Sequence, residues 1–133
     1  MCVLLEKARK DYDVVKTMSG INDELYLDVC CYHIQQAIEK VLKCSIEMKG
    51  CHFSFGHNIS KTYMEYCQAG WQELRDLELM AGTITDWEAG SRCKESFYAT
   101  LGQLQTAIEI YEILEQRLVN YLENAALKED KDR

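Results

Sequence analysis

No proline occurs anywhere in the 133 residues, and that absence constrains the fold more than any other feature. Proline breaks the helical hydrogen-bond ladder, and nothing here does so in its place over long stretches rich in Leu, Glu, Ile, Ala, Lys and Gln. Straight-chain residues of that kind lose little rotamer freedom in a helix. The chain is long enough to bury one core, so a single all-α domain is expected.

Apolar spacing divides the chain into helices. The first segment, from residue 2 to about residue 18, carries apolar side chains at 4, 5, 8, 12, 15 and 18. Ser19 and Gly20 end it, and Asn22 or Asp23 can cap the next helix. The second segment, about residues 24 to 49, has the clearest pattern. Leu27, Cys31, Ile34, Ile38, Val41, Leu42 and Ser45 share one face, which Cys30 and Ala37 widen. His33, Gln36, Glu39, Lys40 and Lys43 point elsewhere, and Gly50 is the stop.

After the loop "CHFSFGH", Asn58 or Ser60 starts a third helix with Ile59, Tyr63, Tyr66 and Cys67 inward, and Gly70 interrupts it. A shorter helix is expected over about residues 73 to 80. "AGTITDWEAGSR" reads as an irregular connection containing one helical turn. The last helix is expected from about residue 94 to 127, on a stripe of Leu101, Leu104, Ile108, Tyr111, Leu114, Leu118, Tyr121 and Ala125, broadened by Ile110, Ile113 and Leu122. So wide a stripe implies contact on two sides, with several helices or with a second chain. The expected architecture is an antiparallel up-and-down bundle, four long helices plus a short one, over residues 1–127, with a charged tail at 128–133.

The net charge is −7, and the tail contributes three charges of each sign, so the acidity lies in the body. An acidic body disfavours nucleic acid, though a local basic patch can still bind it. The seven cysteines are odd in number and none forms CxxC. They read as reduced thiols in a cytoplasmic protein, mostly small buried apolar groups. No apolar run reaches membrane-spanning length.

One stretch combines order and spacing more specifically. Asp28, then His33-Ile34-Gln35-Gln36-Ala37-Ile38-Glu39-Lys40-Val41-Leu42-Lys43, then Gly50, then Gly56-His57-Asn58-Ile59 resembles the HEPN domain (higher eukaryotes and prokaryotes nucleotide-binding). That family shows a "QQA-x-EK-x-LK" helix, a glycine, then "H-(D/N)-(L/I)" opening the next helix. "ARKDYDVVKTM" resembles its first helix. "WEAGSRCKESF" resembles the turn before its last, with Arg92-Cys93 where an "RY" pair is common. The resemblance implies a helical bundle, usually a homodimer, often partnered by a minimal nucleotidyltransferase. Some members are metal-independent ribonucleases or toxins of toxin–antitoxin pairs; others only bind.

The ribonuclease subset uses Arg-x(4–6)-His near the start of the last helix. An imidazole moves the ribose 2′-OH proton near neutral pH while the arginine grips phosphate. Arg92 matches the arginine, but Phe97, Tyr98 and Ala99 occupy the positions where the histidine would fall, and the last histidine of the chain is His57. The phenol of Tyr98, with an ordinary pKa of about 10, is a poor base at neutral pH. A non-catalytic binding module is therefore expected, of a nucleotide or of a nucleotidyltransferase partner. A diverged ribonuclease and a purely structural interaction bundle are the alternatives. Arg92, Tyr98, Lys40 and His57 are the candidate ligand-binding residues, and no catalytic residue, metal or cofactor is assigned.

Each candidate has a plainer reading. His57 can instead hydrogen-bond backbone near a helix end; His33 can be a partly buried polar group or an inter-chain contact; His52 can be solvated. Gln35, Gln36, Glu39, Lys40 and Lys43 are either a recognition face or a solvated one supported by Gln36–Lys40 and Glu39–Lys43 pairs four residues apart, and Glu39 and Lys40, as part of the family pattern, can instead pair across helices. Cys51, His52 and His57 lack the two short-spaced pairs of structural zinc. Trp87, Tyr63 and Tyr66 at helical spacing suit a core better than a base-stacking surface.

Overall fold

A computed structural model of the chain describes residues 2–20, 25–90 and 98–131. Among them are five helices: α1 (Val3–Ser19), α2 (Leu27–Met48), α3 (Ile59–Gln68), α4 (Arg75–Gly90) and α5 (Leu101–Lys131). The expected helical bundle is present. α2 is its axis, because each of the other four helices packs on it. Its predicted inner face is buried, with Cys30, Cys31, Ile34, Ala37, Ile38, Val41, Leu42 and Ser45 at 0–1% exposure. Leu27 packs half-buried against the core.

Gly50 ends α2 at φ 75°, a left-handed conformation that glycine adopts without a Cβ clash. It allows Gly50 N–H to reach Glu47 O at 2.9 Å and Cys51 N–H to reach Ile46 O at 3.2 Å. Gly70, at φ 105°, closes α3 the same way, with Trp71 N–H on Tyr66 O. Asn58 caps α3 by accepting from Lys61 N–H. Asn22 and Asp23, the expected caps of α2, lie outside the described residues; at its start Asp28 accepts from Val29 N–H.

Two elements differ from expectation. The connection foreseen over 81–90 is helix: α4 runs through it to Gly90. Leu77, Ala81, Ile84 and Trp87 recur at three- and four-residue spacing and are all buried, and that burial outweighs the low propensity of the intervening Gly and Thr. The last helix starts later than residue 94. Residues 98–100 are non-helical, and Thr100 and Gln103 form a reciprocal capping box: Thr100 Oγ1 accepts from Gln103 N–H, and Gln103 Oε1 accepts from Thr100 N–H.

The breadth of the α5 stripe is largely absorbed within one chain. Leu104, Ile108, Ile110, Tyr111, Leu114 and Leu118 are buried, while Leu101 and Ile113 stay about 40% exposed and far apart in sequence. α1 is clasped to α5 by Tyr12, which stacks on Tyr111 at 4.7 Å and donates to Glu112. Burial, then Glu112, pushes the Tyr12 phenol up to about 12. Among the described residues no helix is long and apolar enough to cross a membrane.

Candidate functional site

The polar arc of α2 and the loop after it carry the family-like residues, and their geometry shows what each one does. The loop doubles back along the last turns of α2, which returns His57 to the level of Glu39. His57 Nδ1 lies 2.9 Å from Glu39 Oε1. A carboxylate only accepts, so Nδ1 carries the hydrogen and Nε2 is the ring's other polar edge. The sequence reading placed this imidazole on backbone; its partner is a carboxylate eighteen residues upstream. The Glu39 side chain is 4% exposed, against 56% for His57. Lys43 Nζ, four residues on, also reaches Glu39 at 3.3 Å, as the spacing foresaw, and donates to Gly56 O at 3.1 Å. Its ammonium lies 5.2 Å from the Phe53 ring centroid.

One turn toward the start of α2 the pattern repeats with different partners. Asp11 of α1 accepts from Lys40 Nζ at 2.5 Å and from His33 Nδ1 at 2.8 Å. Lys40 is thus paired across helices rather than with Gln36, whose Nε2 donates to Gln35 Oε1 at 2.6 Å. Gln35 is itself fully buried, and its Nε2 has no hydrogen-bond partner among the described residues. The arc is therefore neither an open recognition face nor a merely solvated one. It is a pair of charge clasps, one holding α1 and one holding the loop. His52 is exposed.

A second anchor holds that loop. The Ser54 hydroxyl and N–H both donate to Glu65 of α3, and the hydroxyl above all holds the Glu65 carboxyl below its ordinary range, against a smaller opposing effect of burial. At the far end of α2, Trp71 Nε1–H donates to Ser45 O, its ring stacks on Tyr66 at 5.5 Å, and Lys49 lies over both Trp71 and Tyr121. Arg117, which sequence reasoning passed over, donates to Gln72 O at 2.8 Å and Glu73 O at 3.3 Å and ties the α3–α4 loop to α5. Nothing local in the sequence marks it, because its acceptors, two backbone carbonyls and the Tyr66 hydroxyl, lie more than forty residues away.

Arg92 lies outside the described residues. Tyr98 is 84% exposed and sits ahead of the Thr100 cap, so it is not on the surface of α5. Tyr63, Tyr66 and Trp87 are buried at 8%, 0% and 1%, as core aromatics. Among the described residues no group of three or more His, Cys, Asp or Glu side chains is placed to hold a metal ion.

Next to the Tyr98 segment the molecule opens. Lys16 and Ser19 from the end of α1, with Leu101, Gly102, Leu104, Gln105 and Ile108 from the start of α5, line a cleft of about 490 Å³. Lys16 sits 5.9 Å from the Tyr12 ring centroid. The Thr100 hydroxyl takes the N–H of Gln103. The N–H groups of Leu101 and Gly102 have no acceptor within the helix, and they sit at the positive end of its dipole.

An all-helical bundle with a Glu–Lys helix linked to a His-Asn helix start is the class that these contacts define. The family model for the HEPN domain matches residues 1–122, and the chain belongs to the HEPN domain family. A search of the curated proteins and a search of the solved structures each gave no match.

Proposed function

We propose that this HEPN-family protein is a binding module that does not cut RNA, and that its ligand is a nucleotide held where α1 ends and α5 begins. The cleft there carries the reading. Its volume, about 490 Å³, suits a small-molecule site. It brings a lysine, a hydroxyl and the start of a 31-residue helix together, which is the donor chemistry a phosphate needs. Tyr98, three residues ahead of Leu101, offers an exposed ring for a base, and Arg92, outside the described residues, is the cation that the family resemblance suggests for phosphate. The motif residues Lys40 and His57, by contrast, hold the scaffold.

The test is calorimetry and thermal shift with adenine and guanine nucleotides. Binding is expected to weaken about tenfold on losing one charge-assisted contact in Lys16→Ala, and to weaken also in Arg92→Ala and Tyr98→Ala. If no nucleotide shifts the melting midpoint, the purely structural bundle takes its place. Cleavage of single-stranded RNA abolished by Arg92→Ala would favour the diverged ribonuclease. Tyr98→His writes the ribonuclease spacing into the chain but is expected to stay inactive, because residue 98 precedes the helix.

A further inference from the structure

The opposite end of α1 from Lys16 holds a feature that nucleotide binding does not use. α1 and α2 cross in antiparallel register. Val15 O accepts from Cys30 Sγ, and Asp11 lies between His33 and Lys40. Continued back along α1, the same register sets residue 2 opposite about residue 44. There the Cys2 thiol neighbours that of Cys44, close enough to raise it.

Their surroundings differ. Cys44 is completely buried, and burial, then the Cys2 thiol, pushes its own thiol up from the ordinary value. Cys2 is partly exposed. It lines an open cleft of about 490 Å³ with Val3, Leu4, Glu47, Met48 and Leu122, wide enough to admit a small oxidant. Cys2 also precedes the first turn of α1, where its backbone is extended and unconstrained by helix on one side.

We propose that Cys2 and Cys44 form a reversible disulfide when the protein meets hydrogen peroxide, a redox lock that fastens the start of α1 to α2. The accessible Cys2 sulfur, as thiolate, attacks one peroxide oxygen. An S–O bond forms, the O–O bond breaks, and hydroxide leaves to take up the proton Cys2 gave to solvent. Cys44 then attacks the sulfenic sulfur of Cys2. The S–S bond forms, the S–O bond breaks, and the Cys44 proton leaves with the departing hydroxyl as water. Two thiols and one peroxide give one disulfide and two waters. Dithiol reductants reverse the lock, so the pair stays reduced in a reducing compartment.

The test treats the reduced full-length chain with hydrogen peroxide, followed by intact mass and peptide mapping under non-reducing conditions. The expected result is loss of two hydrogens, a Cys2–Cys44 cross-linked peptide, and a melting midpoint higher by roughly 10 °C, reversed by dithiothreitol. Cys2→Ser, at a partly exposed site, should abolish the cross-link and the shift, and Cys51→Ser should leave both. Cys44→Ala serves as the second variant, read by the cross-link as well as by stability. Oxygen adducts on Cys2 with Cys44 still alkylatable after unfolding would overturn the proposal. So would a cross-link that survives Cys44→Ala, or one that joins Cys51 instead.

Discussion

α2 is fastened at its middle and at its end by different physics. At the middle, Asp11 and Glu39 gather two lysines and two histidines. At the end, Trp71 stacks on Tyr66 and meets Tyr121 edge-on, Lys49 lies over Trp71 and Tyr121, and the polar groups of Trp71 and Tyr121 donate to backbone carbonyls. A charge clasp works against the cost of taking ions out of water, and its net contribution falls as its members become exposed. An aromatic cluster gains from area and dispersion, which salt and pH barely touch. The two regions should therefore fail differently, and mutations can tell them apart.

The largest effect is expected at the aromatic end. Trp71→Ala removes the stack on Tyr66, the edge contact with Tyr121 at 5.2 Å and the hydrogen bond to Ser45 O. A loss of about 3–4 kcal/mol is expected, measured by urea denaturation. It should be the same in low and high salt. A loss that shrinks markedly with added salt would mean that Lys49, rather than ring packing, holds this end.

Next comes the clasp. Glu39→Ala strands Lys43, whose side chain is only 13% exposed, and frees the loop from α2. About 2 kcal/mol is expected, between the cost of an exposed pair and that of a fully buried one. His57→Ala removes the more exposed partner of the same carboxylate and should cost about 0.5 kcal/mol. Hydrogen exchange over residues 51–57 should quicken far more in the first variant than in the second. Equal effects from the two would show that the imidazole, not the buried carboxylate, organises the loop.

This contrast also explains what the sequence made legible. The core face of α2 could be read because burial there follows a local period, and the aromatic residues of α3 and α4 were placed in the core for the same reason. Glu39 could not be read as buried. Its position belongs to the polar arc, and it is covered only because a loop more than ten residues away folds back over it. Arg117 and Trp71 escaped for the same reason, having partners across the bundle. The errors at α4 and α5 are of another kind, since local signals were present. The stripe of Leu77, Ala81, Ile84 and Trp87 outweighed two glycines, and Thr-x-x-Gln at residues 100–103 marked the true helix start. Of the candidate site, the pairing of Glu39 with Lys43 was legible from spacing. The cleft between α1 and α5 was not, because it exists only where two distant helix ends meet.

The smallest effect separates the regions by pH. The Glu65 carboxyl, ordinarily near 4.5, is held lower by Ser54. A carboxyl whose folded value is depressed contributes stability above its unfolded value and loses that contribution as pH falls through the folded one. Ser54→Ala removes the hydroxyl and lets the carboxyl return toward 4.5. The variant should be slightly less stable than the parent at neutral pH, and the gap should close as the pH falls from 4.5 through the parent's depressed value, below which both proteins carry a protonated Glu65. Glu65→Gln should show the same closing gap. The Trp71→Ala deficit, resting on ring packing, should hold steady across the same range. Urea midpoints measured from neutral pH down to the acid limit of folding decide it. A Ser54→Ala gap that stays constant to acid pH would place the role of that hydroxyl in the shape of the loop rather than in the charge of Glu65.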